Sequence, residues 1–232
     1  MRAFLRAGLV GLALLLAAPA AGQDLQKGWA ANERGDYATA LREWRPLAEA
    51  GNAHAQSLLG IKYYAGQGIP QDYAEAGKWF RLAAEQGYDG AQSLLGVMYA
   101  KGQGVPQDWV QAHMWLNLAA AQGDGLAQSK LGVMYYYAGQ GVPQDYAEAG
   151  KWCRLAAEQG YAGAQFLLGA MYATGQGVPQ DWVQAHMWLN LAAAQGDEKF
   201  PKVRGKVTSI MTPAEIAEAQ RLAKEWLEKH PQ

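Results

Sequence analysis

The chain has 232 residues, of which 50% are hydrophobic and 18% are charged, and its formal net charge is −1. This composition supplies enough apolar side chains for a folded core and excludes a disordered chain. A net charge close to zero also argues against nucleic acid as a partner, because proteins that bind nucleic acid usually present a strongly basic face.

The first 22 residues have the pattern of a secretory signal peptide. Arg2 and Arg6 precede an uncharged apolar run over residues 7–18, and small residues follow that run. The run is short for a membrane span, so an uncleaved anchor is the weaker alternative. We therefore expect a periplasmic or secreted chain that begins at Ala21 or Gln23 after cleavage and keeps no integral membrane segment.

An eight-residue phrase, Gly-Gln-Gly-Ile/Val-Pro-Gln-Asp-Tyr/Trp, occurs four times and predicts joints between helices. The four copies cover residues 66–73, 102–109, 139–146 and 175–182. Its glycines allow the left-handed backbone that ends a helix, and its proline cannot continue one. Its Asp can accept hydrogen bonds from the first turn of the next helix, and a Glu or Gln follows three residues later, as in a capping box.

These joints divide the chain into units of about 36 residues. We expect a capping helix over 23–35 and then repeats over 36–71, 72–107, 108–144, 145–180 and, in part, 181–197. Each complete repeat predicts two helices. Residues 198–232 should form a closing helix and a C-terminal capping helix, which begins at Thr212.

Glycines and the single cysteine give expectations about packing. The predicted second helix of each complete repeat carries a glycine near its middle. Glycine is unfavourable there, so we expect a neighbouring helix to approach closely at that point. These glycines are Gly60, Gly96, Gly132 and Gly169. Cys153 holds the slot of Phe80 in an earlier repeat, which favours a buried apolar thiol over a reactive one.

The duplicated unit is a pair of repeats. Repeats two and four are identical except at five positions, and residues 108–124 are identical to residues 181–197. Near-identity of this extent indicates a recent internal duplication.

The repeated sequence resembles that of a known family. Asp-Tyr-x-x-Ala-x-x-Trp-x-x-x-Ala-Ala-Glu-Gln-Gly, followed by Ala-Gln-x-x-Leu-Gly-x-x-Tyr-x-x-Gly-Gln-Gly-Val-Pro-Gln-Asp, resembles the Sel-1-like repeat, a relative of the tetratricopeptide repeat, over about residues 36–196. The resemblance implies an all-α fold, a right-handed α-solenoid of stacked antiparallel helix pairs with a concave groove. It also implies an adaptor that assembles other proteins. A cysteine-rich exported branch is linked to penicillin binding and β-lactam hydrolysis, but this chain lacks its cysteine pairs.

The sequence carries no recognisable catalytic or cofactor motif, so we expect a non-enzymatic protein without a cofactor. Ser-x-x-Lys, Gly-x-Ser-x-Gly, His-Glu-x-x-His and a phosphate loop are all absent from it. His113 and His186 share one repeat slot, each with an asparagine four residues later, Asn117 and Asn190. A metal site needs converging ligands, and units two apart should not touch, so we expect no metal site.

Candidate partner-binding residues come from the variable slots and the aromatic slots. They are Lys62, Lys101, Tyr136, Trp109, Trp182, His113, His186, Asn117 and Asn190. Repeated aromatic residues usually pack one repeat against the next, although a row along the groove could also bind peptide or sugar. The leading hypothesis is an exported scaffold that binds a protein or peptide in its concave groove. A glycan- or peptidoglycan-binding envelope protein in contact with the cell wall and, more weakly, a β-lactam hydrolase are the alternatives.

Overall fold

A computed structural model describes residues 24–195 and 200–231, so the expected signal peptide lies outside the described residues. The described residues form twelve α-helices and no strand. In chain order the helices are α1 (Leu25–Glu33), α2 (Tyr37–Glu49), α3 (Ala53–Ala65), α4 (Tyr73–Glu85), α5 (Asp89–Lys101), α6 (Trp109–Ala121), α7 (Gly125–Tyr136), α8 (Tyr146–Glu158), α9 (Ala162–Thr174), α10 (Trp182–Ala193), α11 (Phe200–Thr208) and α12 (Pro213–Lys229). None of these twelve is both long enough and apolar enough to cross a membrane.

The joints have the predicted glycine and aspartate chemistry but form no capping box. Helix α3 ends at Gly66, which adopts the left-handed conformation with φ 67°, and Gly68 follows with φ 78°. Asp72 then caps α4 by accepting hydrogen bonds from the backbone N–H groups of Ala74 and Glu75. Asp108 and Asp145 cap their helices in the same way, and Asp181 accepts one such bond, from the Gln184 N–H. A reciprocal capping box is formed only at Thr212 among the described helix starts.

The second helix of each unit packs against the first helix of the next unit at the mid-helix glycines. A Cβ atom added at Gly96 would lie 2.7 Å from Leu116 Cγ, and one at Gly132 would lie 2.4 Å from Cys153 Sγ. The expected close approach is therefore confirmed. Cys153 is also confirmed as a fully buried thiol, and burial raises its pKa to about 12.

A ladder of glutamine side chains joins consecutive units. Gln92 is buried at the start of α5, where its Nε2 donates to the carbonyl oxygen of Ala84 at 3.1 Å. Its Oε1 accepts a hydrogen bond of 2.8 Å from Gln122 Nε2 in the next unit. The same pair of bonds recurs at the glutamines 56, 128 and 165. Each buried amide is thus satisfied by backbone on one side and by its neighbouring unit on the other.

The two ends of the stack are irregular. Helix α1 packs on α2, where Gly28 leaves room for the Trp44 ring, and Pro46 lies inside α2. At the other end α10 packs against α9, α11 and α12. This succession of helix pairs, each in contact with the next, confirms the α-solenoid.

Candidate functional site

The second helices of the units lie on the inner side of the stack. Helix α5 contacts α7, and α7 contacts α9, whereas the first helices α4, α6 and α8 have no comparable contacts with one another. Helices on the inside of a curved stack approach each other more closely than those on the outside. The residues that α5 and α7 expose between them therefore lie on this inner side.

Two of the joints on this side are closed by a tyrosine. Tyr64 packs edge-on against Tyr73, with ring centroids 5.1 Å apart, and its hydroxyl donates to Gln103 Oε1 at 2.9 Å. Tyr136 repeats the arrangement two units later and donates to Gln176 Oε1 at 2.7 Å. The predicted site residue Tyr136 is therefore half-buried and has a packing role.

The joint between them is open, because Ala100 holds the slot of Tyr64 and Tyr136. A cleft of about 190 Å³ remains between α5, α6 and α7. Its apolar wall comes from Val97, Ala100, Trp109, Leu116, Val133 and Met134, and its polar members are Lys101, Lys130 and Gln140. We call this feature the Lys101–Lys130 cleft. The structure thus brings together two of the predicted residues, Lys101 and Trp109.

The two lysines give the cleft a positive charge. Both are exposed, and neither forms an ion pair with any residue that the structure describes. Burial of the Lys130 stem lowers the pKa of its ammonium, and the charge of Lys101 lowers it further. The two positive charges are thus close enough to repel each other, and an anion placed between them would relieve that repulsion.

Lys62, another predicted partner-binding residue, lies elsewhere and is buried. It holds the slot that Met98, Met134 and Met171 fill in the other units, and the residue is 4% exposed. Its Nζ donates to Gln67 Oε1 at 2.7 Å and lies 4.3 Å from the centre of the Tyr37 ring. Burial lowers its pKa. The residue type varies among the repeats at this slot, but the slot lies on the face of the helix that points to the core.

The two histidines do not form one site. His113 is half-buried with its Nε2 3.0 Å from the Tyr135 hydroxyl, whereas His186 is buried and its Nδ1 has no hydrogen-bond partner among the residues that the structure describes. Burial lowers the pKa of both, and the Arg204 charge adds to the effect at His186. Nowhere in residues 24–195 and 200–231 do three potential metal ligands converge.

The asparagines and Trp182 are also separate from the cleft. Asn117 is exposed, whereas Asn190 Oδ1 accepts a hydrogen bond of 2.8 Å from Arg204 Nη1. Trp182 is half-buried and packs against the core formed by the C-terminal helices. Trp109 and Trp182 therefore occupy equivalent slots but do not share a surface.

Sequence reasoning missed Lys130 and Ala100, although both left a signal in the repeats. Lys130 stands where the other complete units have leucine, at Leu58, Leu94 and Leu167. A charge in a slot that is otherwise apolar marks a local change of environment. Ala100 stands where the two neighbouring units have tyrosine, Tyr64 and Tyr136, although the equivalent residue of repeat four, Ala173, is also alanine.

Comparison with known proteins places these features in a family. The Sel1 repeat model matches residues 53–88, 90–124, 125–161 and 162–197. A search of curated proteins gives no match.

Two solved structures are similar to this chain. The first, a protective antigen present in uropathogenic Escherichia coli strains with a Sel1-like repeat fold, is 36% identical with a TM-score of 0.72, over 87% of this chain and 44% of that one. The second, a Sel1 repeat protein from Oxalobacter formigenes, is 39% identical with a TM-score of 0.65, over 73% of this chain and 49% of that one. The chain therefore spans less than half the length of either. With four matched repeats and the same fold, this chain belongs to the Sel1 repeat family, whose members commonly act as scaffolds for protein interactions.

Proposed function

We propose that this chain is an exported scaffold that holds an acidic peptide segment of a partner protein in its concave groove. The observation that carries the proposal is the Lys101–Lys130 cleft. An apolar side chain of the peptide would enter the cleft against Trp109, and a carboxylate beside it would lie between the two ammonium groups. Apolar burial would provide affinity, and the charge pair would provide selectivity for acidic segments.

The repeats themselves supply matched variants that test this proposal. Lys101→Thr and Lys130→Leu introduce the residues that Thr174 and Leu167 provide in repeat four, so the double variant should fold normally. Ala100→Tyr would close the cleft with the side chain that neighbouring joints already contain. Both changes leave the glutamine ladder and the glycines and aspartates of the helix joints unaltered.

Selection of random peptides displayed on phage against residues 23–232 gives a direct measurement. We expect enriched peptides in which an aspartate or glutamate lies next to a large apolar residue. Synthetic versions should bind K101T/K130L and A100Y at least about tenfold more weakly than the native chain, and their binding should weaken with salt. Enrichment of basic peptides, or equal binding by both variants, would contradict the proposal.

Export is a separate part of the proposal and is supported by the pattern of residues 1–22. Fractionation of cells that produce the full chain, with mass spectrometry of the mature N-terminus, would measure it. We expect a processed chain outside the cytoplasm that begins at Ala21 or Gln23. An unprocessed chain in the cytoplasmic fraction would remove export from the proposal while leaving peptide binding untouched.

Glycan binding has less support from the geometry, because Trp109 and Trp182 do not share a surface and both are half-buried in joints. Co-sedimentation with purified peptidoglycan sacculi separates the two functions. The scaffold proposal predicts no sedimentation, whereas sedimentation that is lost on substitution of both tryptophans would favour glycan binding.

A further inference from the structure

Helices α6 and α10 have identical sequences but different surroundings. Residues 108–124 and 181–197 match at every position, so both helices carry the same three apolar side chains at four-residue spacing. Residues four apart lie on one face of a helix. On α6 these are Val110, Met114 and Leu118, which we call the α6 stripe. On α10 they are Val183, Met187 and Leu191, the α10 stripe.

The α6 stripe is open to solvent and the α10 stripe is not. Val110 is 67% exposed, Met114 40% and Leu118 46%, whereas Met187 is 6% and Leu191 3% exposed. Helix α7 packs against α6 much as α11 packs against α10, so these partners do not account for the difference. Helix α12 packs against α10, and no helix of the described residues packs over α6 in the same way.

Helix α12 shows which kind of segment such a stripe binds. Its inner face is formed by the buried Ala219 and Ala223, with Ile216, Leu222 and Trp226 beside them in the same core as the α10 stripe. Two alanines separated by one turn allow close approach of helix axes. Its outer face is charged, with Arg221 bonded to Glu218 and Glu225.

The stripe is particular to α6 among the first helices of the inner units. Helices α4 and α8 have alanine and lysine at its first two positions, Ala74 and Lys78 in the second unit. Lys78 forms an ion pair with Glu75, and the pair recurs in the fourth unit. The outer faces of α4 and α8 therefore keep one large apolar side chain each, Leu82 and Leu155, whereas that of α6 has three.

We infer that the α6 stripe is a docking site for an amphipathic helix of a partner protein, with the apolar pattern of α12. This surface is on the first helix of its unit and is separate from the Lys101–Lys130 cleft, so the inference stands independently of peptide binding in the groove. A second copy of this chain is a poorer occupant. Its α12 already covers its own α10, and moving that helix would expose as much apolar surface as it buried.

A synthetic, fluorescently labelled peptide of residues 212–230 is the probe, because it contains α12 with its cap. We expect it to bind residues 23–232 in an anisotropy titration. The variant V110A/M114K gives α6 the residues of α4 and α8, so it should fold normally, which its circular dichroism and thermal unfolding would check. Binding of the probe to this variant should be at least about tenfold weaker.

The converse variant, A74V/K78M, completes a second stripe with Leu82 on α4 and should raise the stoichiometry from one bound peptide to two. Failure of the probe to bind the native chain would overturn the inference. Equal binding by V110A/M114K would also overturn it, since exchange with α12 at α10 would then account for the signal. Self-association of the native chain that V110A/M114K abolishes would reassign the α6 stripe to contact between copies.

Discussion

Removal of one member of the glutamine ladder tests how the units are coupled, and Gln92 is the member with the clearest contacts. Gln92→Leu keeps the volume of the buried side chain but removes its bonds to the Ala84 carbonyl and to Gln122. Each net hydrogen bond contributes about 0.5–1.5 kcal/mol, so two predict a loss of about 1–3 kcal/mol.

The surroundings place the expected loss in the lower half of that range. The Ala84 carbonyl keeps its bond of 2.9 Å from the Gly87 N–H, and Gln122 is exposed, so water can replace its lost partner. We therefore expect Gln92→Leu to lower the free energy of unfolding by about 1–2 kcal/mol. For a chain of this size, that loss corresponds to a decrease in Tm of about 2–8 °C.

Urea and thermal unfolding of residues 23–232, followed by circular dichroism, measure this loss. Gln220→Leu, at an exposed position on α12 without a described side-chain bond, is the control and should change stability little. A double-mutant cycle of Gln92→Leu with Gln122→Ala should give a coupling of about 0.5–1 kcal/mol. Unchanged stability of Gln92→Leu, or a coupling of zero, would refute the role of the ladder in joining units.

Three further predictions concern single positions. Gly104→Ala should lower the free energy of unfolding by about 2 kcal/mol or more, measured in urea, because φ is +68° there and the new Cβ would lie 2.2 Å from the Tyr73 carbonyl oxygen. Cys153 should react with a thiol reagent at pH 8 only after unfolding, since burial raises its pKa to about 12. The pKa of Lys62 is lowered in the folded chain, so the unfolded chain binds the Lys62 proton more tightly. The contribution of Lys62 to the free energy of unfolding therefore rises as the pH increases towards 10.5. Lys62→Met should raise stability at neutral pH and abolish that rise in urea titrations.

The helix joints could be predicted because their chemistry is local. Gly66 and Asp72 end one helix and begin the next through their own backbone and side-chain preferences, and the phrase that contains them occurs four times. The close approach at Gly96 was predictable for a related reason. Glycine is unfavourable within a helix, so its recurrence in one slot indicates that a neighbouring helix packs too closely there for a side chain.

The candidate site was less predictable, because tertiary neighbours decide which residues are accessible. His113 and His186 lie in identical sequences, yet one bonds to Tyr135 and the other is buried near the charge of Arg204 on α11. Lys62 and Lys101 both occupy variable slots of the repeat, but Lys62 is on the core face of its helix and Lys101 is exposed in the cleft. The open joint at Ala100 could not be predicted without the structural observation that tyrosines close the neighbouring joints.

The Lys101–Lys130 cleft lies entirely within residues 72–144, the pair of repeats that the chain has already duplicated once with different side chains. The segment 72–144 begins with Asp-Tyr, and the same Asp-Tyr follows residue 144. Another copy of the segment could therefore be inserted after residue 144 without creating a new sequence at the junction. The lengthened protein would present two clefts in one groove. A ligand with two acidic segments at matching separation would then bind by avidity, with a gain of about 10²–10⁴ over a single segment. The number of binding sites in this architecture is thus set by how many times one segment of the gene is copied.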